Sequence, residues 1–202
     1  MTRRWPTLAA AVLLISAPVV ALATQQDAAR ADADRMSKKV QAILARAEAP
    51  AGQAKPLTTN FTESELNAYL RLDPTVGLPV GIQQPTVTLL DNGRVESKAL
   101  VNLDAVRTSE KRGYFDPLAY VTGIMEVRTV GTFRGANGKG TYVHESASLG
   151  GVPIPKSVLA QLVAYYSRTP EAPNGITLDT PFELPHRIRE IQLQRGMGTV
   201  TQ

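Results

Sequence analysis

The stretch that decides the fold runs from Thr86 to Ala105, T-V-T-L-L-D-N-G-R-V-E-S-K-A-L-V-N-L-D-A. Polar and apolar residues alternate from Thr86 to Leu89, and Asp91-Asn92-Gly93 breaks the run. Alternation then resumes, with Val95, Ser97, Ala99, Val101, Leu103 and Ala105 on one face and Glu96, Lys98, Asn102 and Asp104 on the other. A period of two is the signature of a strand, and Asn-Gly between two such runs is the strongest short-range hairpin signal. The return strand is expected to span Val95 to Ala105, roughly 36 Å at about 3.3 Å per residue. A long strand with one polar side implies an antiparallel sheet with one face in water.

Downstream the plan repeats. Ile124 to Phe133 leads into the turn Gly135-Ala136-Asn137-Gly138, and Thr141 to Leu149 returns. The two hairpins are joined through Tyr114 to Tyr120, which reads as a turn or a helical crossover. An apolar loop, Leu149 to Pro155, precedes a helix from Lys156 to about Arg168, because proline suits a first helical turn. Val158, Leu159, Leu162, Val163 and Tyr166 form the stripe of that helix. Thr169 to Gly175 reads as a turn. Ile176 to Leu184 and Arg187 to Gln194 are expected as closing strands, with Gly196-Met197-Gly198 turning into Thr199 to Thr201. Pro181 and Pro185 push part of this to a sheet edge or a bend.

Upstream, Thr62 and Glu65 make the S/T-x-x-E capping box of a short helix, with Phe61 and Leu66 as its hydrophobic staple. Leu66, Tyr69 and Leu70 supply its buried face, and Asp73-Pro74 ends it. Residues 51–58, A-G-Q-A-K-P-L-T, read as a linker. Thr24 to about Ala51 is polar and alanine-rich, which favours helix. Val40, Ile43 and Leu44 lie on one side of its second half, and its first half has almost no stripe. The class is therefore α+β: a long curved antiparallel sheet of about six strands wrapped around the Lys156 helix, preceded by an N-terminal helical arm.

Residues 1–23 have the form of a secretory signal peptide. Arg3 and Arg4 are the basic region, Leu8 to Val20 the apolar region, and Ala21-Leu22-Ala23 the small-x-small cleavage pattern. The run to Ala23 is broken by Ser16 and Pro18 and is shorter than the ~20 residues of a spanning helix, which argues against a permanent anchor. The expected division is 1–23 signal peptide, 24–57 polar arm and linker, and 58–202 a single α+β domain, exported to the periplasm or secreted after cleavage following Ala23. Losing Arg3 and Arg4 from the 22 basic residues leaves 20 against 18 acids. A charge so close to zero gives no reason to expect nucleic acid as a partner.

Chemistry is sparse. The chain has no cysteine, which removes disulfides, thiol nucleophiles and thiolate metal sites together. Its two histidines are His144 and His186. His144 is expected on a polar strand face with Tyr142, Ser146 and Ser148, as a solvated residue, and His186 in a bend. No H-E-x-x-H pair or G-x-S-x-G elbow occurs. Asp91-Asn92-Gly93 lacks the remaining ligands of a calcium loop. No catalytic residue, metal site or cofactor is expected, and the chain reads as a non-enzyme.

What remains is apolar surface. Aromatic residues make up 5% of the chain, so its interior is mostly aliphatic. Small Ser97, Ala99 and Ala147 among larger residues would leave room for a lipid or another long hydrophobic molecule. The expected contacts are Val101, Leu103, Val127, Phe133, Leu159 and Val163. The bland reading of the same residues is an ordinary packed core, in an envelope structural or protein-interaction module without ligand. The Leu149 to Pro155 loop is apolar where loops are usually polar, and is a candidate contact for a membrane surface or an envelope protein.

The run Phe61-Thr62-Glu63-Ser64-Glu65-Leu66-Asn67-Ala68-Tyr69-Leu70, followed by Gly77-Leu78-Pro79 and a long hairpin, resembles small exported bacterial proteins of the YceB type. Those are similar in turn to the TULIP-like (tubular lipid-binding) superfamily, in which a highly curved antiparallel sheet wraps a long helix. The resemblance spans roughly residues 58–202 as a pattern of elements. It implies a groove for a hydrophobic ligand and carries over no catalytic residue. The lipobox cysteine of the YceB type is absent from this chain.

Overall fold

A computed structural model describes residues 17–50, 56–109, 122–166 and 177–202. The fold is α+β. In chain order the elements are α1 (Ala17–Glu48), β1 (Thr58–Thr62), α2 (Glu63–Leu72), β2 (Ile82–Leu89), β3 (Arg94–Asn102), α3 (Leu103–Ser109), β4 (Ile124–Ala136), β5 (Lys139–Leu149), β6 (Val152–Ile154), α4 (Lys156–Tyr166), β7 (Phe182–Glu183), β8 (Glu190–Gln194) and β9 (Met197–Thr201). The nine strands form one open antiparallel sheet. The expected crossover at Tyr114 to Tyr120 and the turn at Thr169 to Gly175 lie outside the described residues.

The long β4–β5 hairpin is the spine. Along one edge of β4, β3 pairs with residues 124 to 132, and β8 bridges at Gly135. Along the far edge of β5, β6 takes residues 147 to 149 and β7 takes 139 and 140. Two branches therefore share one hairpin: β2–β3 at its open end and β1–β9–β8 at its tip. The strand count exceeds the expected six because three short strands join. One of them, β1, begins within the presumed linker, and another, β6, folds the Leu149 to Pro155 loop back onto β5.

The sheet's two faces differ as the alternation requires. Arg128 on the outer face grips Glu96 through two nitrogens at 2.9 and 2.8 Å, and Lys98 approaches Glu96 at 3.0 Å. Beside them Arg94 meets Glu145 at 2.8 Å, and Glu145 also accepts from Thr132 at 2.8 Å. The inner face carries Val87, Leu89, Val95 and Phe133 into the core.

The helices that close this core are α1 and α2, not the helix at Lys156. Ala33, Met36, Val40 and Ile43 recur at helical spacing along α1; Ala33 and Met36 are buried, and Met36, Val40 and Ile43 pack with Phe61, Leu66, Tyr69, Ile188 and Val200. The second half of the presumed polar arm is thus core. Leu44 lies off this stripe and is exposed. Helix α4 instead packs chiefly on β5 among the described elements, and Val158 on its stripe is 42% exposed.

Glu65 joins α1 to α2. It completes the capping box, with its Oε2 accepting the Thr62 N–H at 2.9 Å and Thr62 Oγ1 accepting the Glu65 N–H at 3.2 Å. The same carboxylate receives Lys39 at 2.6 Å and Arg35 at 3.3 Å from α1. Burial pushes the Glu65 carboxyl up, but the Lys39 hydrogen bond, the Thr62 N–H and Arg35 outweigh it and hold it below its usual range. Asp32 adds contacts to Ser64 and Arg35.

Strand β3 ends three residues earlier than its alternation. Asn102 Oδ1 accepts the N–H groups of Asp104 and Ala105, both at 3.1 Å, and so caps α3. Asparagine is among the best helix caps, and here it overrides the strand pattern that Leu103 and Ala105 continue.

Candidate functional site

Beyond the reach of α1 and α2 the inner face continues as two apolar rows. Ile82, Val101 and Met125 face one another across β2, β3 and β4. Ala99, Val127 and Leu149 do the same across β3, β4 and β5. All six are partly exposed, unlike Leu89 and Val95 on the same face. Helix α4 stands beside β5, with Leu159 and Val163 half-buried. At this end of the sheet Ile124 and Val152 are 57% and 68% exposed. Val152 belongs to the turn-and-strand return that was expected as the apolar loop.

Of the six expected contacts, the structure brings Val101 and Val127 together as diagonal neighbours on adjacent strands. Leu159 and Val163 sit on α4, whose contact is with β5, the strand next to that of Val127. Leu103 does not join this face: it opens α3 and is 3% exposed. Phe133 belongs to the other half of the hairpin, packed on the α1–α2 core, with its ring 6.5 Å from that of Phe182. Met125 and Leu149, which are not among the six expected contacts, continue the alternation of their strands and complete these rows.

His144 departs from its expected place. The ladder slips between Val130 and Gly131, so that Ser146 opposes Val130 while His144 opposes Gly131. Glu145 is the extra residue of a β-bulge. One added residue reverses the facing of everything beyond it. Ser146 and Ser148 stay outside, whereas His144 turns inward and is buried. Asp179 accepts the His144 N–H at 2.7 Å and pairs with Lys156 at the start of α4. Lys156 first, then that N–H, hold the Asp179 carboxyl below its usual range. The Tyr142 ring covers Gly131, since a Cβ on Gly131 would lie 2.6 Å from the Tyr142 hydroxyl. Burial raises the Tyr142 phenol, against an opposing hydrogen bond with Thr129.

A recess of about 590 Å³ lies at the other end of the spine, between the β4–β5 tip and the segment from Glu183 to Glu190. It shares no residue with the apolar rows. Among the described residues no group of three acidic or histidine side chains is placed to hold a metal, and no helix is long and apolar enough to cross a membrane. Asp91 in the β2–β3 turn is engaged by Arg195 at 2.7 Å. Compared with protein-family models, curated proteins and solved structures, the chain matches none.

Proposed function

We propose that this is an exported, non-enzymatic binding protein that holds a lipid or another long hydrophobic molecule against the inner face of its sheet. The contact zone comprises Val101, Met125, Val127 and Leu149, with Leu159 and Val163 of α4 alongside. The observation that carries this reading is the contrast along one strand face. Val95 is sealed by the core, while Ala99 and Val101 on the same face of β3 remain partly open. Apolar area removed from water contributes about 25 cal/mol per Å², before the costs of ordering the ligand. The resemblance to YceB-type and TULIP-like proteins points the same way.

Export is part of the proposal. Cleavage after Ala23 would leave Ala33, Met36, Val40 and Ile43 intact, so the mature chain keeps the α1 residues placed in the core among those described. The exposed Val152 turn is the proposed contact with a membrane surface or envelope protein. A second reading, an envelope interaction module without cargo, is favoured by the 590 Å³ recess, whose lining includes Glu183, Arg187, Arg189 and Glu190 and which lies away from the apolar rows.

The test is native mass spectrometry of protein purified from its own envelope, followed by organic extraction. Co-purified lipid, lost on substituting Val127, supports the carrier. Ligand-free protein that also fails to take up added fatty acid would leave the interaction module.

A further inference from the structure

The recess at the hairpin tip is framed by two reversals of the same kind. Asn137 and Gly138 have φ of 54° and 77° and join β4 to β5. His186 and Arg187 have φ of 56° and 57°, and the Ile188 N–H returns to the Pro185 carbonyl at 3.1 Å. Both are turns with two successive left-handed residues. Asn-Gly is the favoured sequence for that geometry, whereas His-Arg is strained in it. Such strain persists where the surroundings impose it, and it clusters at ligand sites. Here the surroundings are specific: Gln202 donates to the His186 carbonyl at 2.7 Å, and Arg187 donates to the Ala49 carbonyl at 2.6 Å.

The strained turn places four charges round one recess, Arg187 and Arg189 against Glu183 and Glu190. None of them pairs with another across it. Arg187 is turned to a backbone carbonyl, Glu190 accepts from Gln192 at 2.8 Å, and Glu183 has Lys139 at 3.9 Å. Arg189 has no ion pair among the described residues, while its main chain is fixed by Gly138 and Thr201. Leu184 and Ile188, both buried core residues, anchor the segment from within. The recess thus offers separated positive and negative poles on a rigid frame.

We propose that this recess binds a small zwitterion, a molecule carrying an ammonium group and an oxyanion a few bonds apart. Arg189 and Arg187 take the oxyanion, as guanidinium groups suit carboxylate and phosphate. Glu183 and Glu190 take the ammonium. Free amino acids and short peptides carry this chemistry, and so does the phosphoethanolamine group of a lipid head. The site is independent of the apolar rows.

Isothermal titration of the full chain with glycylglycine and with phosphoethanolamine tests the proposal and separates the two sources, with acetate, phosphate and ethylamine as single-charge controls. Binding of at least one zwitterion, tenfold or more tighter than the controls, is expected. It should weaken at least tenfold in Arg189→Ala and in Glu183→Gln, two exposed positions at which circular dichroism should be unchanged. Absence of zwitterion binding at millimolar concentration overturns the proposal. So does equal binding of the single-charge controls, or indifference to both substitutions.

Discussion

Asn67 meets Val87 at two points: its Nδ2 donates to the Val87 carbonyl and its Oδ1 accepts the Val87 N–H, both at 2.7 Å. One residue pair on, Glu63 accepts the Leu89 N–H at 2.7 Å. Among the described strands β2 pairs only with β3, so these groups would otherwise be an open sheet edge, and α2 supplies side chains in place of a neighbouring strand. Open edges invite pairing between chains. Asn67→Ala leaves a donor and an acceptor unmatched and should cost about 1–3 kcal/mol. Asn67→Asp keeps the acceptor and should lie between. Urea unfolding of the three proteins decides, and equal midpoints would refute the bracket.

Phe61 and Gly198 are directly paired across β1 and β9, and a Cβ on Gly198 would stand 2.7 Å from Phe61 Cε2. The same arrangement recurs at Gly140, where a Cβ would stand 2.7 Å from Phe182 Cζ. An aromatic ring laid over a strand glycine fixes register and fills the gap the glycine leaves. Gly198→Ala should therefore destabilise by about 1–3 kcal/mol, through overpacking rather than lost contacts. In a Phe61→Leu background the same change should cost less than half as much, because the pair is coupled. Additive losses in thermal melts would show that the ring is not the obstacle.

How much of this was legible in the sequence depends on the range of the interaction. Thr62 and Glu65 act within one helical turn, and their spacing alone revealed the cap. The β2–β3 and β4–β5 hairpins were equally local. The stripe of α1 starts at Ala33, and alanine is too ambiguous to mark a buried face without its partner surface in view. Helix α4 has the stronger apolar stripe yet packs less, because burial depends on which helix the sheet meets. Asn102 was counted in the alternation, although its fitness as a cap could have signalled the end of β3. The bulge at Glu145 left no mark at all, and it moved His144 from the outer face to the inner one. Of the apolar site, Val101 and Val127 followed from strand alternation, while Leu103 and Phe133 were misplaced by the early end of β3 and by the length of β4.

Glu96 gives the acid limb of stability a specific origin. Arg128 first, then Lys98, hold its carboxyl at about 2, against 4.5 for the free group. Because the folded value is the lower one, the ionised form favours folding at any pH above about 4.5. That contribution is lost as pH falls from 4.5 toward 2. Glu96→Gln should be less stable than the parent at pH 7, and the gap should close across this window. Unfolding midpoints at pH 7, 4 and 2.5 measure it, and a gap independent of pH would assign the loss to packing instead.

Glu65 should respond differently to substitution, because it serves both a cap and a helix–helix contact. Glu65→Gln can still accept the Thr62 N–H but meets Lys39 and Arg35 without charge. Glu65→Ala removes all three partners and leaves the cap donor open, for which about 1–3 kcal/mol is expected, with the glutamine variant losing roughly half. Salt separates the two parts, since screening weakens ion pairs more than a cap. The difference between wild type and Glu65→Gln should shrink in 1 M sodium chloride, whereas that between Glu65→Gln and Glu65→Ala should not. If salt leaves both differences unchanged, the ion pairs to α1 contribute nothing.

Val95 and Val127 share the inner face yet should fail in opposite ways. Val95 is 9% exposed and packed with Leu89 and Met36, so Val95→Ala leaves a void in the core. It should cost roughly 1–3 kcal/mol, as large-to-small core changes do, and leave ligand uptake per folded molecule unaltered. Val127 opposes Ala99 and Leu149 on the half-open part of that face. An asparagine there puts an amide where an acyl chain would lie, and burying it unpaired under that chain is unfavourable. Val127→Asn should hold its unfolding midpoint within about 1 kcal/mol, as expected for a partly exposed site, while binding a fluorescent fatty acid tenfold or more weakly. The reverse pattern, with uptake lost in Val95→Ala and kept in Val127→Asn, would move the ligand from the open rows into the α1–α2 core.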